Sequence, residues 1–224
     1  MTFSLLARCP RTGQFGMVIS SSSVCVASRC VWLRAGVGAV GTQNITDPRL
    51  GRLGLDLLAQ GMGAASVRDR LVDAQPFAAY RQLIVLDGDG RSAVHSGART
   101  LGIHATAAGE ACAAGGNLLA HDGIPKAMIA GYMAAPEAEL AERLVRALEA
   151  GLAAGGEAGD EHSAGISVVD RHVWPICDLR VDWHDDPIGE LRRVWEIYRP
   201  QMKDYLTRAL DPTSAPSYGV PGDP

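Results

Sequence analysis

The stretch Thr2-Phe3-Ser4-Leu5-Leu6-Ala7 is a run of apolar and β-favouring residues near the start of the chain. The segment Pro10-Arg11-Thr12-Gly13 then gives a turn signal, and residues 15–20 return as a second apolar run. Two such runs around a turn that contains proline and glycine predict a β-hairpin. Thr2 would occupy the first position of this hairpin.

Thr2 is also the candidate nucleophile. Initiator methionine is usually removed when a small residue follows it, and removal would leave the hydroxyl and the free α-amine of Thr2 side by side. An α-amine titrates at about pH 7.7–8.0, so it can accept the hydroxyl proton at neutral pH. The alternative is that Thr2 only begins a strand. A retained Met1 would block the amine.

Composition narrows the class of protein. The chain has 224 residues, of which 47% are hydrophobic, which suits one domain with a large core. A net charge of −4 gives no electrostatic case for binding nucleic acid. The five cysteines form no Cys-x-x-Cys pair and predict free thiols in a reducing compartment. With neither a signal-peptide pattern nor a membrane-length apolar stretch, we expect a cytoplasmic protein that does not contact membranes.

Periodicity along the rest of the chain predicts alternating groups of strands and helices. Strands are predicted at residues 24–27, 36–42, 82–86, 91–95, 163–169 and 173–181. Helices are predicted after the Asp47-Pro48 and Asp186-Pro187 caps and at residues 66–74, 124–135 and 137–150. We expect one domain over residues 1–210 and a loose tail, rich in proline and glycine, over residues 211–224.

This element order indicates the fold class. Hairpins dominate and few β-α-β crossovers occur, which favours antiparallel sheets covered by helices. The sequence therefore predicts an α/β protein of the α+β type, a four-layer α-β-β-α sandwich of two antiparallel sheets.

Three motifs do not support a cofactor or metal. Gly36-Val37-Gly38-Ala39-Val40-Gly41 matches a dinucleotide fingerprint as text, but no helix can open directly after it. Asp87-Gly88-Asp89-Gly90 lacks the remaining ligands of a calcium loop and predicts a hairpin turn. The acidic and histidine groups at residues 160–162 and 184–186 lack a helical His-x-x-x-His pair. We expect neither a cofactor nor a metal.

Four segments carry a resemblance to a known family. They are residues 1–8, residues 34–44 with Arg34-Ala35-Gly36-Val37-Gly38 and Thr42-Gln43-Asn44, residues 47–58, and Gly115-Gly116-Asn117-Leu118-Leu119. Together they resemble the bacterial family called domain of unknown function 1028, usually placed with the N-terminal-nucleophile (Ntn) hydrolases. The resemblance implies an Ntn-hydrolase-like α-β-β-α sandwich, whereas the activity of the family is poorly defined.

A more distant likeness concerns the chemistry. Asp160-Glu161-His162-Ser163-Ala164-Gly165 is similar to the Asp-x-x-Ser-Gly-Gly turn of proteasome β-subunits. That likeness implies that Asp160 orients Ser163 and that Ser163 contacts the Thr2 amine. The alternative is an ordinary turn that enters a strand, with Ser163 capping local backbone. The chain departs from the proteasome pattern because Ser22 falls where an aspartate belongs and no lysine precedes Lys126. Arg34 could supply positive charge, although arginine cannot accept a proton.

The remaining candidate residues would either stabilise the oxyanion of the reaction or bind the substrate. Backbone N–H groups at Gly116, or the side-chain amide of Asn117, could donate to a developing oxyanion. The alternative is a turn with an asparagine cap ahead of a helix. The substrate-binding candidates are Ser22, Ser23, Arg34 and Asn44.

These residues favour an Ntn-type amidohydrolase that cleaves a small amide or peptide-like metabolite, with Thr2 as the nucleophile. The alternative is a catalytically silent Ntn fold that binds a ligand or serves assembly, which the missing lysine favours. A homodimer is also expected, in which Trp195 and Tyr198 of the last helix could form a contact or could belong to the core.

Overall fold

The computed structural model of the protein describes residues 1–220. Its first two strands form the predicted hairpin, in which Thr2–Arg8 pairs antiparallel with Phe15–Ser21 and Phe3 lies opposite Ser20. The turn between them closes through a hydrogen bond of 2.9 Å from the Gly13 N–H to the Cys9 carbonyl. Glycine suits this position because its φ is +76°.

The described residues contain ten strands and seven α-helices. The strands are β1 (Thr2–Arg8), β2 (Phe15–Ser21), β3 (Val31–Arg34), β4 (Gly38–Asn44), β5 (Arg81–Leu86), β6 (Ser92–Ser96), β7 (Ala105–Gly109), β8 (Cys112–Asn117), β9 (Ser163–Val169) and β10 (Cys177–Val181). The helices are α1 (Ala27–Cys30), α2 (Pro48–Ala59), α3 (Ala64–Asp73), α4 (Ile124–Met133), α5 (Leu140–Ala153), α6 (Pro187–Tyr198) and α7 (Met202–Leu210).

Two antiparallel sheets form the centre of the molecule. The larger has the order β10-β9-β2-β1-β8-β7, and the smaller has the order β3-β4-β5-β6. Helices α4, α5 and α6 pack on the outer face of the larger sheet, and α2 and α3 pack on the outer face of the smaller one. A third apolar cluster fills the space between the sheets. The predicted four-layer α-β-β-α sandwich is confirmed.

Alternation along β1 decides which layer each side chain enters. Phe3, Leu5 and Ala7 join the cluster under the helices, whereas Leu6 joins the cluster between the sheets. Because side chains alternate along a strand, Thr2 and Ser4 share the inter-sheet face with Leu6.

Helix α2 begins where its sequence predicts. The Asp47 carboxylate accepts the Arg49 N–H at 3.1 Å, and Pro48 occupies the first turn. The buried side of the helix carries Leu50, Leu55 and Leu58, whereas Leu53 is 39% exposed.

The predicted strand at residues 24–27 is wrong. The segment forms turns that lead into α1, and the next strand begins at Val31. The Val26 N–H donates to the Ser163 hydroxyl rather than to a neighbouring strand, and Cys25 has a φ of +52°. Side-chain capping from a distant strand overrides the strand preference of valine here.

Strands β7 and β8 are absent from the sequence-based prediction. Their residues are mostly alanine and glycine, which have low strand propensity. Ala113 and Ala114 are fully buried, and a Cβ on Gly115 would lie only 3.1 Å from Ile84 of the facing sheet. Small side chains therefore allow the sheets to approach closely, and packing rather than propensity sets β8 in place.

The glycine-spaced stretch at residues 36–41 forms a turn and the start of β4. Gly38 has a φ of +153°, and a Cβ there would lie 2.4 Å from the Leu86 carbonyl oxygen. Glycine is required at position 38 because the backbone of Leu86 leaves no room for a side chain there.

Helix α6 packs against the core of its own chain. Trp195 is fully buried and Tyr198 donates to the Ile176 carbonyl at 2.7 Å, so both support the core rather than offer a free dimer surface. Of the predicted tail, residues 211–220 are described and contain one 3₁₀ turn, Pro212–Ser214, while residues 221–224 lie outside the described residues. Within residues 1–220, no helix is long and apolar enough to cross a membrane.

A buried carboxylate joins α5 to α6. Glu142 accepts hydrogen bonds from Arg146 at 2.6 Å, and from Arg192 and the Trp195 indole at 2.8 Å each. Burial by itself would raise the pKa of Glu142, but the hydrogen bonds from Arg192, Arg146 and Trp195 hold this pKa at about 2.

Glu142→Ala is expected to lower the free energy of unfolding at neutral pH by about 3 kcal/mol, because it leaves the buried Trp195 indole without its acceptor and Arg192 with Glu149 as its remaining carboxylate. The loss should shrink as the pH falls from the ordinary carboxyl value toward about 2, where Glu142 itself becomes protonated. Urea unfolding at several pH values measures both effects. Glu137→Ala, at a carboxylate that is 87% exposed, is the control and should change stability little. Equal losses in the two variants would contradict the assignment.

Candidate functional site

A row of buried polar side chains crosses one end of the larger sheet. Register places Ser163 of β9 opposite Ser21 of β2, and Thr2 of β1 opposite Asn117 of β8. Since β1 and β2 are neighbours, the row runs Ser163, Ser21, Thr2, Asn117. Strand pairing within the larger sheet therefore places the Ser21 hydroxyl on one side of Thr2 and the Asn117 amide on the other.

Thr2 is buried, with 6% of the residue exposed, and its hydroxyl lies 3.3 Å from the hydroxyl oxygen of Ser21. Both hydroxyls donate to the carbonyl oxygen of Met1. The Ser23 N–H donates to the Ser21 oxygen at 3.0 Å, which fixes the position of that hydroxyl. The site thus already holds a carbonyl group between two hydroxyl donors.

Buried amides connect this row to the smaller sheet. Asn117 and Gln43 both donate to the Gln82 side-chain oxygen, at 3.0 and 2.9 Å, and Ser4 donates to the Gln43 oxygen at 2.7 Å. The Gln82 amide nitrogen donates in turn to the Gly116 carbonyl at 2.9 Å. We call Ser4, Gln43, Gln82 and Asn117 the amide network. It orients Asn117 beside Thr2.

The two predicted oxyanion donors lie in different environments. Gly116 is inside β8, opposite Phe3 on one side and Ala105 on the other, so the sheet ladder occupies its backbone. Asn117 uses one amide hydrogen on Gln82, and an amide nitrogen carries a second hydrogen. Asn117 is the better candidate of the two.

The predicted support of Thr2 by Asp160 and Ser163 is not formed. The Ser163 hydroxyl donates to the Ser23 carbonyl and accepts the Val26 N–H at 3.2 Å. Because β2 lies between β9 and β1, Ser163 is two strand spacings, about 10 Å, from Thr2. Asp160 is exposed and makes no hydrogen bond or ion pair with any residue in the described range. Ser163 supports the loop after β2.

The predicted serines lie at the site. Ser22 donates its backbone N–H to the Glu157 carboxylate at 3.1 Å, and Ser23 contacts Ser21 as described. Both residues follow directly after β2, so they border the Thr2 end of the sheet.

The structure does not bring Arg34 or Asn44 into contact with Thr2. Arg34 pairs with Gly38, at the opposite end of β4 from Gln43, and forms an ion pair with Asp56 at 2.7 Å. Asn44 lies at the Thr2 end of the smaller sheet, but its amide donates to the Tyr80 carbonyl at 2.6 Å and its oxygen accepts the Leu101 N–H at 3.3 Å. Asn44 therefore organises loops at the rim.

Two further residues of the site were not predicted. Ser21 was detectable, because the hairpin turn fixes its register opposite Thr2. Glu157 follows a glycine pair in a polar segment and gives no local signal. It lies beside the site through an isolated bridge to Leu119, two residues beyond Asn117.

Glu157 is an unusual buried carboxylate. It is only 5% exposed, and one oxygen accepts the Ser22 N–H while the other has no hydrogen-bond partner in residues 1–220. Burial raises the pKa of Glu157, the α-amine of Met1 lowers it, and the nearby Glu161 carboxylate raises it again. The result is a raised pKa and a carboxylate that forms no ion pair with any of residues 1–220.

The acidic and histidine residues at 160–162 and 184–186 do not come together as a metal site in the described residues. His162 stacks on Trp183 with ring centroids 4.3 Å apart, and its carbonyl accepts the His184 N–H at 2.8 Å. Across the described part of the chain, no group of three or more histidine, cysteine, aspartate or glutamate residues is placed to hold a metal ion.

Comparisons with known proteins give a family and a structural neighbour. The sequence model of a protein family, described as "Family of unknown function (DUF1028)", matches residues 2–191. A crystal structure of a Silicibacter pomeroyi protein of that family superposes with a TM-score of 0.84 at 27% identity, over 91% of this chain and 89% of that one. No curated protein matches the chain.

Two Anbu structures are more distant. The Anbu (Gly-1) mutant from Hyphomicrobium sp. strain MC1 has a TM-score of 0.40 at 11% identity, over 92% of this chain and 99% of that one. Anbu, an ancestral β-subunit, from Yersinia bercovieri has a TM-score of 0.36 at 9% identity, over 91% and 97%.

Gln82→Ala is expected to lower the free energy of unfolding by about 3 kcal/mol, because it leaves the buried amides of Asn117 and Gln43 without their shared acceptor. Denaturant unfolding measures this loss. Gln60→Ala is the matched control, since Gln60 is exposed. A Gln82 variant as stable as the control would show that the amide network does not hold the sheets together.

Glu157→Gln is expected to gain stability relative to the unaltered protein as the pH rises. The unfolded carboxyl ionises near 4.5 and the folded one near about 8, so ionisation costs stability across that interval, and glutamine avoids the cost. Thermal unfolding midpoints at about pH 5 and about pH 8 measure the change. Glu110→Gln, at an exposed position, is the control. A difference in midpoint that does not vary with pH would contradict the raised pKa.

Proposed function

The chain belongs to the DUF1028 family of unknown function, so we propose an activity from the chemistry of its own site. The proposed activity is that of an Ntn-type amidohydrolase acting on a small amide or peptide-like molecule. Thr2 is the nucleophile after Met1 has been removed.

The observation that carries this proposal is the position of the Thr2 hydroxyl. It lies between the sheets at the end of β1, 3.3 Å from Ser21 and in contact with a carbonyl oxygen. Removal of Met1 would vacate the place of that carbonyl and free the α-amine of the same residue. An amine that titrates at about pH 7.7–8.0 can then serve as the base for the adjacent hydroxyl.

The reaction follows from this arrangement. The Thr2 oxygen forms a bond to the substrate carbonyl carbon while its proton passes to the Thr2 amine. Ser21 and Asn117 donate hydrogen bonds to the oxyanion, each contact being worth about 3 kcal/mol in comparable sites. The C–N bond breaks as the amine returns the proton to the leaving nitrogen. Water, deprotonated by the same amine, then hydrolyses the ester and regenerates Thr2.

The α-amine serves as the base because it belongs to the same residue as the hydroxyl, whereas the Glu157 carboxylate accepts the Ser22 N–H and no basic side chain is free beside Thr2 within the described residues. Lys126 is exposed on α4, and the Arg29 guanidinium donates to the carbonyls of Val24 and Cys25. Arg34 lies at the far end of the smaller sheet. Activity should therefore rise with pH as the Thr2 amine loses its proton.

Labelling with a β-lactone, which acylates activated hydroxyls, tests the nucleophile. Intact-mass measurement of the native protein should first show the loss of one methionine residue, and peptide mapping should then place the acyl group on Thr2. Ser21→Ala should slow the labelling by about 100-fold, the effect of removing one oxyanion donor.

Controls separate this proposal from a catalytically silent fold. Thr2→Ser should keep the label, Thr2→Ala should lose it, and Thr12→Ala, at an exposed turn, should label normally. A retained Met1, or a protein that the probe leaves unlabelled, would instead support a ligand-binding or assembly role.

A further inference from the structure

The carboxylate of Glu157 has no function in the reaction just described, although it borders the site. Its Ser22 contact is one residue from Ser21, and its bridge partner Leu119 is two residues from Asn117. A buried carboxylate usually has hydrogen-bond donors for both oxygens and a cation close by. Here one oxygen has no partner among residues 1–220. The unfilled oxygen indicates a missing cationic donor.

Met1 shows how an acyl group fits beside Glu157. Its carbonyl oxygen lies between the hydroxyls of Thr2 and Ser21, and its positively charged amine acts on Glu157 electrostatically. Its side chain lies against Gly159, where a Cβ would be 3.1 Å from the methionine Cε. Met1 is thus arranged as an α-aminoacyl group, with the carbonyl at the nucleophile and the amine near enough to act on the Glu157 carboxylate without forming an ion pair with it.

The same arrangement applies to an acyl-enzyme. An acyl group on the Thr2 nitrogen and one on the Thr2 oxygen interconvert through a five-membered ring, so the two positions lie within a few atoms of each other. A substrate acyl group attached to the Thr2 oxygen would therefore occupy the space that Met1 occupies in this structure. Its α-substituent would then point toward Glu157.

We infer that Glu157 binds the free α-ammonium group of the substrate, so that the protein cleaves amides of unblocked α-amino acids. This inference rests on the proposed function, and names the class of substrate for it. An ammonium group offers three donors and a positive charge, which matches an unpartnered buried carboxylate. An acetylated amine has no charge and leaves the carboxylate unpaired, at a large cost.

The reaction balances with water as the only co-reactant. The Thr2 oxygen bonds to the aminoacyl carbon, the C–N bond breaks, and the leaving amine takes the proton from the Thr2 amine. Water then cleaves the ester, which releases the free amino acid and restores the hydroxyl. The α-ammonium group of the substrate is unchanged throughout.

The test uses mature protein, with Met1 removal verified by mass, on methionine p-nitroanilide and N-acetylmethionine p-nitroanilide. The unblocked substrate should have a kcat/KM at least about 100-fold higher. Glu157→Gln should lower kcat/KM for the unblocked substrate by about 100-fold and leave the acetylated one nearly unchanged. Glu110→Gln is the matched control and should behave like the unaltered protein.

Two outcomes would overturn the inference and leave the proposed function intact. The first is equal or preferred cleavage of the acetylated substrate by a protein whose Thr2 is acylated by the β-lactone. The second is a Glu157→Gln variant that loses activity equally on both substrates, because the carboxylate would then act on the Thr2 amine instead.

A binding measurement decides the case if neither anilide is cleaved. Calorimetry on Thr2→Ala should detect methioninamide but not N-acetylmethioninamide, and the added Glu157→Gln change should weaken binding at least about 10-fold. That result supports the ammonium site even if Thr2 proves unreactive. Absent binding, or binding that Glu157→Gln does not change, overturns it.

Discussion

Strand β1 is held on both edges, with Phe3 opposite Ser20 of β2 and Thr2 opposite Asn117 of β8. This double register matters because side chains alternate between the two faces of a strand. A slip of one residue would turn Thr2 toward the helices and place Phe3 between the sheets. Phe3 and Leu5 resist that slip because both are fully buried under α4 and α5. Apolar packing on one face therefore positions the hydroxyl on the other.

The polar residues between the sheets are stable because they satisfy one another. Ser4, Gln43, Gln82 and Asn117 are buried and form hydrogen bonds of 2.7–3.0 Å with one another. When one member of such a network is missing, its buried partners lose their hydrogen bonds and the fold loses stability. When the network is complete, it makes this part of the core rigid. It holds the end of the sandwich at a fixed spacing. That spacing gives Thr2 and Ser21 a defined position.

Glu157 is the exception within this ordered end. Its neighbours satisfy only one of its oxygens, whereas Glu142, the other buried glutamate, has three hydrogen-bond partners and a low pKa. Glu142 therefore has the partners of a structural carboxylate, whereas Glu157 has one oxygen without a hydrogen-bond donor among residues 1–220. The proposed site thus combines a candidate nucleophile, donors to a carbonyl and a buried carboxyl group with one unpartnered oxygen among residues 1–220, and these groups come from four separate regions of the chain.

Local sequence signals determine individual strands, turns and helix starts, whereas the packing of the whole fold determines which residues meet at the site. The β1–β2 hairpin, the Asp47-Pro48 helix start and the layered sandwich follow from residues that act over short distances. Sequence periodicity could not reveal β8, because alanine and glycine carry little strand signal until another sheet presses against them. Nor could it show that β2 separates Ser163 from Thr2, or that Glu157 lies beside Ser22. Those facts depend on strand order and on burial, which are properties of the whole fold.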